Sequence, residues 1–195
     1  LRSRGLGDVY KRQLYDGRLG IIIGNWNGYH RAYVPAQNSF LDYATDAFRE
    51  PSLVRTVISA DFDNDGFDEI FFNNIGQPNR MFRVRDGGVL EPVALSAALE
   101  ADGLGTGAAV ADMDGDGVLD LLVAHGESAA QPLSLFRAAI DGPGRYLRVA
   151  PLTRNGAPAR GATVVLETDM RTHAKTIDAG SGYLCQMEPV AHYGL

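Results

Sequence analysis

The feature that most constrains this chain is an acidic pattern, D-x-D-x-D-G-x-x-[DE], that occurs twice. It reads Asp61, Asp63, Asp65, Gly66 and Glu69, then Asp112, Asp114, Asp116, Gly117 and Asp120. The two copies lie about fifty residues apart, and an internal period of that length marks a repeat architecture whose units cannot bury their apolar faces alone. The correspondence extends beyond the loops. Ser59-Ala60 precedes the first as Val110-Ala111 precedes the second, an apolar run follows each, and Leu135-Phe136-Arg137 answers Met81-Phe82-Arg83. Asp16-Gly17 and Arg31-Ala32-Tyr33 stand one period before Asp65-Gly66 and Arg80-Met81-Phe82, which marks a third, earlier copy. Gly20 occupies the place of its last acidic residue, so no metal site is read there.

Within each unit the apolar runs are strand length, bounded by Gly, Asn and Asp, and free of helical spacing. Strands are expected at Val57–Ala60 and Ile70–Asn73, at Ala108–Ala111 and Leu121–Ala124, each pair joined by its acidic turn and followed by a third strand with aromatic content. A small antiparallel sheet repeated at this period suits a propeller blade. A β-solenoid is disfavoured, because its coils are much shorter. Gly103-Leu104-Gly105-Thr106-Gly107 reads as a turn: a dinucleotide loop would open a helix, whereas this stretch leads into a strand.

The chemistry lies in the acidic loops. Four carboxylates within nine residues repel one another, and turn formation alone needs only one or two. A hard cation such as Ca²⁺ takes six to eight oxygens at roughly 2.3–2.6 Å, and carboxylates at alternate positions of a tight loop converge on one centre. Gly66 and Gly117 supply the positive φ that closes the loop. The expected ligands are Asp61, Asp63, Asp65, the Phe67 carbonyl and Glu69, and in the second loop Asp112, Asp114, Asp116, the Val118 carbonyl and Asp120. An EF-hand is excluded, since its twelfth position is a bidentate Glu between helices and here it is Phe72 or Val123 in a strand-like run. With affinities of extracellular modules, about 10⁻⁴–10⁻³ M, calcium near 1 mM would stabilise the fold by roughly 0.4–1.4 kcal/mol per site.

Composition narrows the partners. The 24 acidic residues outnumber the 18 basic ones, for a net charge of −6, and no Lys/Arg cluster builds the positive stripe that nucleic acid requires. The longest apolar stretches, Leu19–Ile23 and Leu119–Ala124, fall far short of the roughly 20 residues of a membrane span. His30, His125, His173 and His192 are scattered without a zincin spacing, and no G-x-S-x-G elbow occurs. Cys185, alone in the chain, reads as a small buried apolar side chain. Residues 1–13 are basic and lack strand alternation; they read as a non-native leader resembling translated adapter sequence, outside the fold.

The repeat stops at Asp141-Gly142-Pro143-Gly144, and a second module begins, with strands expected at Tyr146–Ala150 and Ala162–Leu166 and a turn at residues 178–182. The acidic loops resemble FG-GAP/VCBS repeats. Arg160-Gly161-Ala162 and the run from Gly180-Ser181-Gly182-Tyr183 through Cys185-Gln186-Met187-Glu188 to Ala191-His192-Tyr193-Gly194-Leu195 resemble the ASPIC/UnbV domain. That order is the arrangement of the cartilage acidic protein family. The fold implied is all-β: a partial β-propeller of about three FG-GAP/VCBS-type blades over residues 14–144, followed by a truncated, β-rich ASPIC/UnbV module over residues 145–195. Because the family has a closed ring, the chain is expected to be a piece of a longer protein with open sheet edges. The resemblance further implies a Ca²⁺-binding, non-catalytic protein, secreted, at the cell surface or periplasmic, that binds an extracellular protein or glycan in the manner of adhesion modules. The alternative is an enzyme or biosynthetic accessory that uses the segment from Cys185 to His192.

Overall fold

A computed structural model describes residues 6–13, 19–85, 88–127, 129–138, 140, 144–169, 171–178, 180 and 182–195, with side chains from residue 20 onward. The protein is all-β. Three antiparallel meanders follow one another: β1 (Leu6–Gln13), β2 (Leu19–Gly28), β3 (Arg31–Ala36) and β4 (Ser39–Asp42); then β5 (Ser52–Ala60), β6 (Glu69–Asn74), β7 (Arg80–Arg85) and β8 (Val89–Val93); then β9 (Gly105–Ala111), β10 (Asp120–His125) and β11 (Ser134–Phe136). These are the blades expected from the period. The first two are joined edge to edge where Trp26 of β2 pairs in parallel with Ser52 and Leu53 of β5. β5 therefore begins several residues earlier than its apolar run suggested.

The middle blade explains why the unit must repeat. Every residue of β6 is buried, and its side chains alternate between two cores. Ile70 and Phe72 join Val54, Val57, Phe82, Val84 and Leu90 with Ile22 and Ala32 of the first blade, whereas Phe71 joins Ile58 with Ala108, Val110, Leu121 and Val123 of the third. One small sheet thus has both faces covered only because it has a neighbour on each side.

Three local features depart from the sequence reading. Residues 6–13, expected outside the fold, run antiparallel to β2 as β1; main-chain pairing needs no side-chain alternation, and it does not bear on the segment's origin. Asp16-Gly17 lies outside the described residues. Gly105–Gly107 form the start of β9 rather than a turn. The reason is close approach: a Cβ on Gly105 would lie 1.9 Å from Asn73 Oδ1, and Asn73 Nδ2 donates to the Gly107 carbonyl at 3.1 Å. Finally, a single helical turn, α1 (Asp46–Arg49), is capped by Thr45, whose hydroxyl accepts from Phe48 N. It places the Phe48 ring 5.1 Å from Phe72 and 4.8 Å from Phe82.

The second module is two small sheets on one core. β12 (Tyr146–Val149) pairs with β15 (Ala191–Gly194), and β13 (Thr163–Glu167) with β14 (Thr172–Thr176). Ile177, Ala191 and Tyr193 pack with Val149, Val164 and Leu166, and Tyr193 donates its hydroxyl to the Val164 carbonyl at 2.8 Å. Most of the anticipated linker at residues 141–144 lies outside the described residues, as do residues 179 and 181 of the anticipated turn. Among the described residues no helix is long and apolar enough to cross a membrane.

His30 fastens the first blade to the second. Its Nδ1 accepts from Asn25 N at 3.0 Å, its Nε2 lies 3.0 Å from Ser52 Oγ, and Ser52 donates onward to Asn74 Oδ1 at 2.9 Å. Because the Ser52 proton goes to Asn74, the ring must be the neutral Nε2–H tautomer. Burial, and then the Arg80 charge, lower its pKa to about 4. The unfolded chain therefore takes up this proton first: the contribution is present in full above about pH 6.5 and is lost as pH falls towards 4, by about 3 kcal/mol. His30→Gln should flatten the fall in unfolding free energy between those pH values in urea titrations; slopes identical to the parent would refute this assignment.

Candidate metal centre

Each acidic loop joins the first and second strands of its blade, and the two share one hydrogen-bond scheme. Asp61 Oδ2 accepts from Gly66 N, and Asp112 Oδ2 from Gly117 N. Asp63 Oδ1 accepts from Asp65 N, and Asp114 Oδ1 from Asp116 N. Asp65 Oδ1 accepts from Phe67 N, and Asp116 Oδ1 from Val118 N. Glu69 Oε2 reaches back to Phe62 N at 3.1 Å, as Asp120 Oδ2 reaches Met113 N at 2.9 Å. Gly66 and Gly117 turn each loop at φ +83° and +88°. Strands, not helices, follow both loops.

The scheme brings three carboxylates of each loop together. Asp61, Asp63 and Asp65 each present an oxygen within 4.8 Å of the others, and Asp112, Asp114 and Asp116 do the same. Glu69 and Asp120 open the following strands and are buried. Phe67 and Val118, expected to contribute carbonyls, lie at the closing turn with their amides on Asp65 and Asp116.

The environments then diverge. In the first loop Asp61 is 1 % and Glu69 3 % exposed, and Asp61 Oδ1 and Glu69 Oε1 are buried without a hydrogen-bond partner. Burial pushes the Asp61 carboxyl up to about 7, with the Asp68 charge adding to the shift. Burial pushes Glu69 up to about 9, with Asp63 next in effect, and Asp65 is raised for the same first reason. In the second loop Asp112 Oδ1 accepts from Gly115 N at 2.8 Å, Arg148 Nη1 meets Asp112 Oδ2 at 2.8 Å, and Arg137 Nη1 meets Asp114 Oδ2 at 2.8 Å. The first loop thus has two buried oxygens without a hydrogen-bond partner, and an all-oxygen donor set of that kind fits a hard cation. Guanidinium groups already offset part of the second loop's charge.

The second module covers both loops. Gly194 N donates to Asp61 Oδ2 at 2.9 Å, Arg171 Nη2 to the Asp65 carbonyl at 2.9 Å, and Lys175 pairs with Asp68 at 2.8 Å. The Arg171 guanidinium also lies 4.0 Å over the Phe67 ring. Sequence reasoning missed these residues, since they lie over a hundred positions from the loop they touch and carry no motif that points to it. Cys185 Sγ donates to the Ala108 carbonyl at 2.7 Å, Glu188 pairs with Arg148, and His192 Nε2 lies 2.7 Å from Asn64 Oδ1.

Two families match this arrangement: the FG-GAP-like repeat over residues 61–123, and ASPIC and UnbV over residues 152–195. Cartilage acidic protein 1 of mouse (Mus musculus) and that of human (Homo sapiens) are each 53% identical over 193 aligned residues, 92% of this chain. The chain is a homologue of cartilage acidic protein 1. The Xenopus tropicalis protein is 49% identical over 214 aligned residues, 99% of the chain. The chain spans 29% to 33% of the length of these relatives. The resemblance read from the acidic loops and the final run of residues is borne out.

β15 sits so tightly on the first loop that a Cβ at Gly194 would lie 2.3 Å from the backbone carbon of Asn64. Gly194→Ala should destabilise the chain by about 1–3 kcal/mol in urea unfolding; a neutral effect would mean that this contact yields without cost.

Proposed function

We propose that this chain is a calcium-binding propeller module of an exported protein, secreted, cell-surface or periplasmic, that binds a protein or glycan outside the cell and performs no catalysis. The observation that carries the reading is the pair of buried oxygens, Asp61 Oδ1 and Glu69 Oε1, that lack partners beside the convergent carboxylates of Asp63 and Asp65. Leaving such groups unsatisfied costs on the order of 1–3 kcal/mol each. A cation removes that cost and the mutual repulsion together. Calcium is favoured over magnesium because a flexible loop of carboxylates and carbonyls suits six to eight ligands, whereas magnesium keeps much of its water. Asp61, Asp63, Asp65, Glu69 and the Phe67 carbonyl would hold one ion; Asp112, Asp114, Asp116, Asp120 and the Val118 carbonyl would hold another.

The exported location rests on the homology to cartilage acidic protein 1 and the paired repeat and ASPIC/UnbV modules. The non-catalytic reading is supported by the separate contacts of Cys185, Glu188 and His192, each of which packs the second module onto the propeller or braces its neighbour.

Thermal unfolding tests the metal. Calcium at 1 mM should raise Tm over a chelated sample by about 2–10 °C when both sites fill. Asp63→Ala and Asp114→Ala should each remove part of that gain. A folded sample with the same Tm in calcium and in chelator would end the metal reading.

A further inference from the structure

The acidic loops are also a docking surface. β12 and β15 pair through Tyr146 with Gly194 and Arg148 with His192, and this two-stranded sheet lies across both loops at once. From β15, Gly194 N reaches Asp61 Oδ2; from β12, Arg148 reaches Asp112 Oδ2. In each loop the second module therefore holds one oxygen of the first aspartate. In the first loop this leaves Asp61 Oδ1 as the oxygen with no partner.

Asn64 ties these parts together. It is buried, at φ +57°, between Asp63 and Asp65. Its Nδ2 donates to the Gly117 carbonyl of the second loop at 2.9 Å, and its Oδ1 faces His192 Nε2 of β15 at 2.7 Å. The Tyr146 ring stacks on His192 at 6.0 Å between centroids and occupies the space above Gly117, where a Cβ would lie 1.9 Å from it. One side chain that carries no charge thus touches the first loop, the second loop and the second module.

We propose that cation binding at the first loop and docking of the β12–β15 sheet are thermodynamically linked, with Asn64 the positioning residue that transmits the coupling. The proposal rests on the calcium reading above. An ion held by Asp61 Oδ1 fixes the carboxylate in the orientation that accepts from Gly194, and the docked Gly194 amide fixes the same carboxylate for the ion. By linkage each event must strengthen the other by the same factor. The second module is on this account a partner of the metal site, not a neighbour joined only by the chain.

The test uses the whole chain. Calcium binding is measured by calorimetry, and amide hydrogen exchange is followed with calcium and with chelator. The proposal expects slower exchange at residues 146–149 and 191–194 in calcium, by a larger factor than in the β3–β4 hairpin of the first blade. Asn64→Gly keeps the positive φ and every expected ligand while removing both side-chain bonds; it should weaken calcium binding by about fivefold or more. Calcium binding with unchanged exchange in β12 and β15 would overturn the linkage and leave the metal site intact. Exchange that responds while Asn64→Gly binds calcium as the parent does would overturn the role of Asn64. No heat of binding to a folded chain would overturn the calcium reading itself, and the linkage with it.

Discussion

Two carboxylates, Asp61 and Glu69, are removed from water at the base of one small loop, and much of the surrounding structure follows from what that requires. A buried carboxylate must be met by donors or by a cation. Backbone amides meet one oxygen of each: Gly66 and Gly194 on Asp61, Phe62 on Glu69. To aim the Gly66 amide inward the chain must pass through positive φ at Gly66 and also at Asn64. To bring the Gly194 amide close enough, β15 must approach the loop backbone at a distance that excludes a side chain. A glycine at position 194 and a glycine at position 66 thus answer the same buried charge from opposite ends of the sequence.

The blades supply the rigidity that holds such a loop in place. Phe62, inside the first acidic pattern, is buried in the core between the second and third blades. Its counterpart in the second loop, Met113, is 45% exposed, and there Val118 and Leu119 provide the apolar anchor instead. Each loop is therefore pinned by at least one apolar side chain immediately beside its carboxylates. Because β6 is buried on both faces, its first residue, Glu69, cannot turn towards solvent without breaking that packing. The cost of burying the carboxylate is imposed by the blade, and the loop has to answer it.

What could be read from the sequence was whatever repeats locally. β5, β6, β9 and β10 were legible because strand-length apolar runs flank an acidic turn twice, at the same spacing, and the loop scheme was legible because Asp, Gly and their spacing are local chemistry. Contacts made at long range were not. Gly105–Gly107 looked like a turn because only the approach of Asn73, from another blade, explains why three glycines in five residues continue a strand. α1 is too short for any periodic signal. Asn64, Arg148, Arg171 and Lys175 carry no local signal, since the significance of Asn64 comes from a strand residue 128 positions later and that of the others from loops upstream.

The two loops also show why a repeated motif need not be a repeated site. Four internal hydrogen bonds recur in both, so local sequence determines the shared loop conformation. The difference comes from what is placed against them. Gly115 offers its amide to Asp112 Oδ1, and Arg148 and Arg137 bring positive charge to Asp112 and Asp114. Asp61 Oδ1 has no such donor, and Glu69 adds a second unpartnered oxygen. A cation at the first loop would meet buried, uncompensated oxygens, where Coulombic attraction is weakly screened; at the second it would share more exposed carboxylates with guanidinium groups already present. On the calcium reading the first loop therefore has the stronger demand for the ion, and the second can hold its shape on arginine alone. The asymmetry originates in Arg148 of the second module, in Arg137 just after β11, and in two positions of the motif itself, Asn64 where the other copy has Gly115 and Glu69 where it has Asp120.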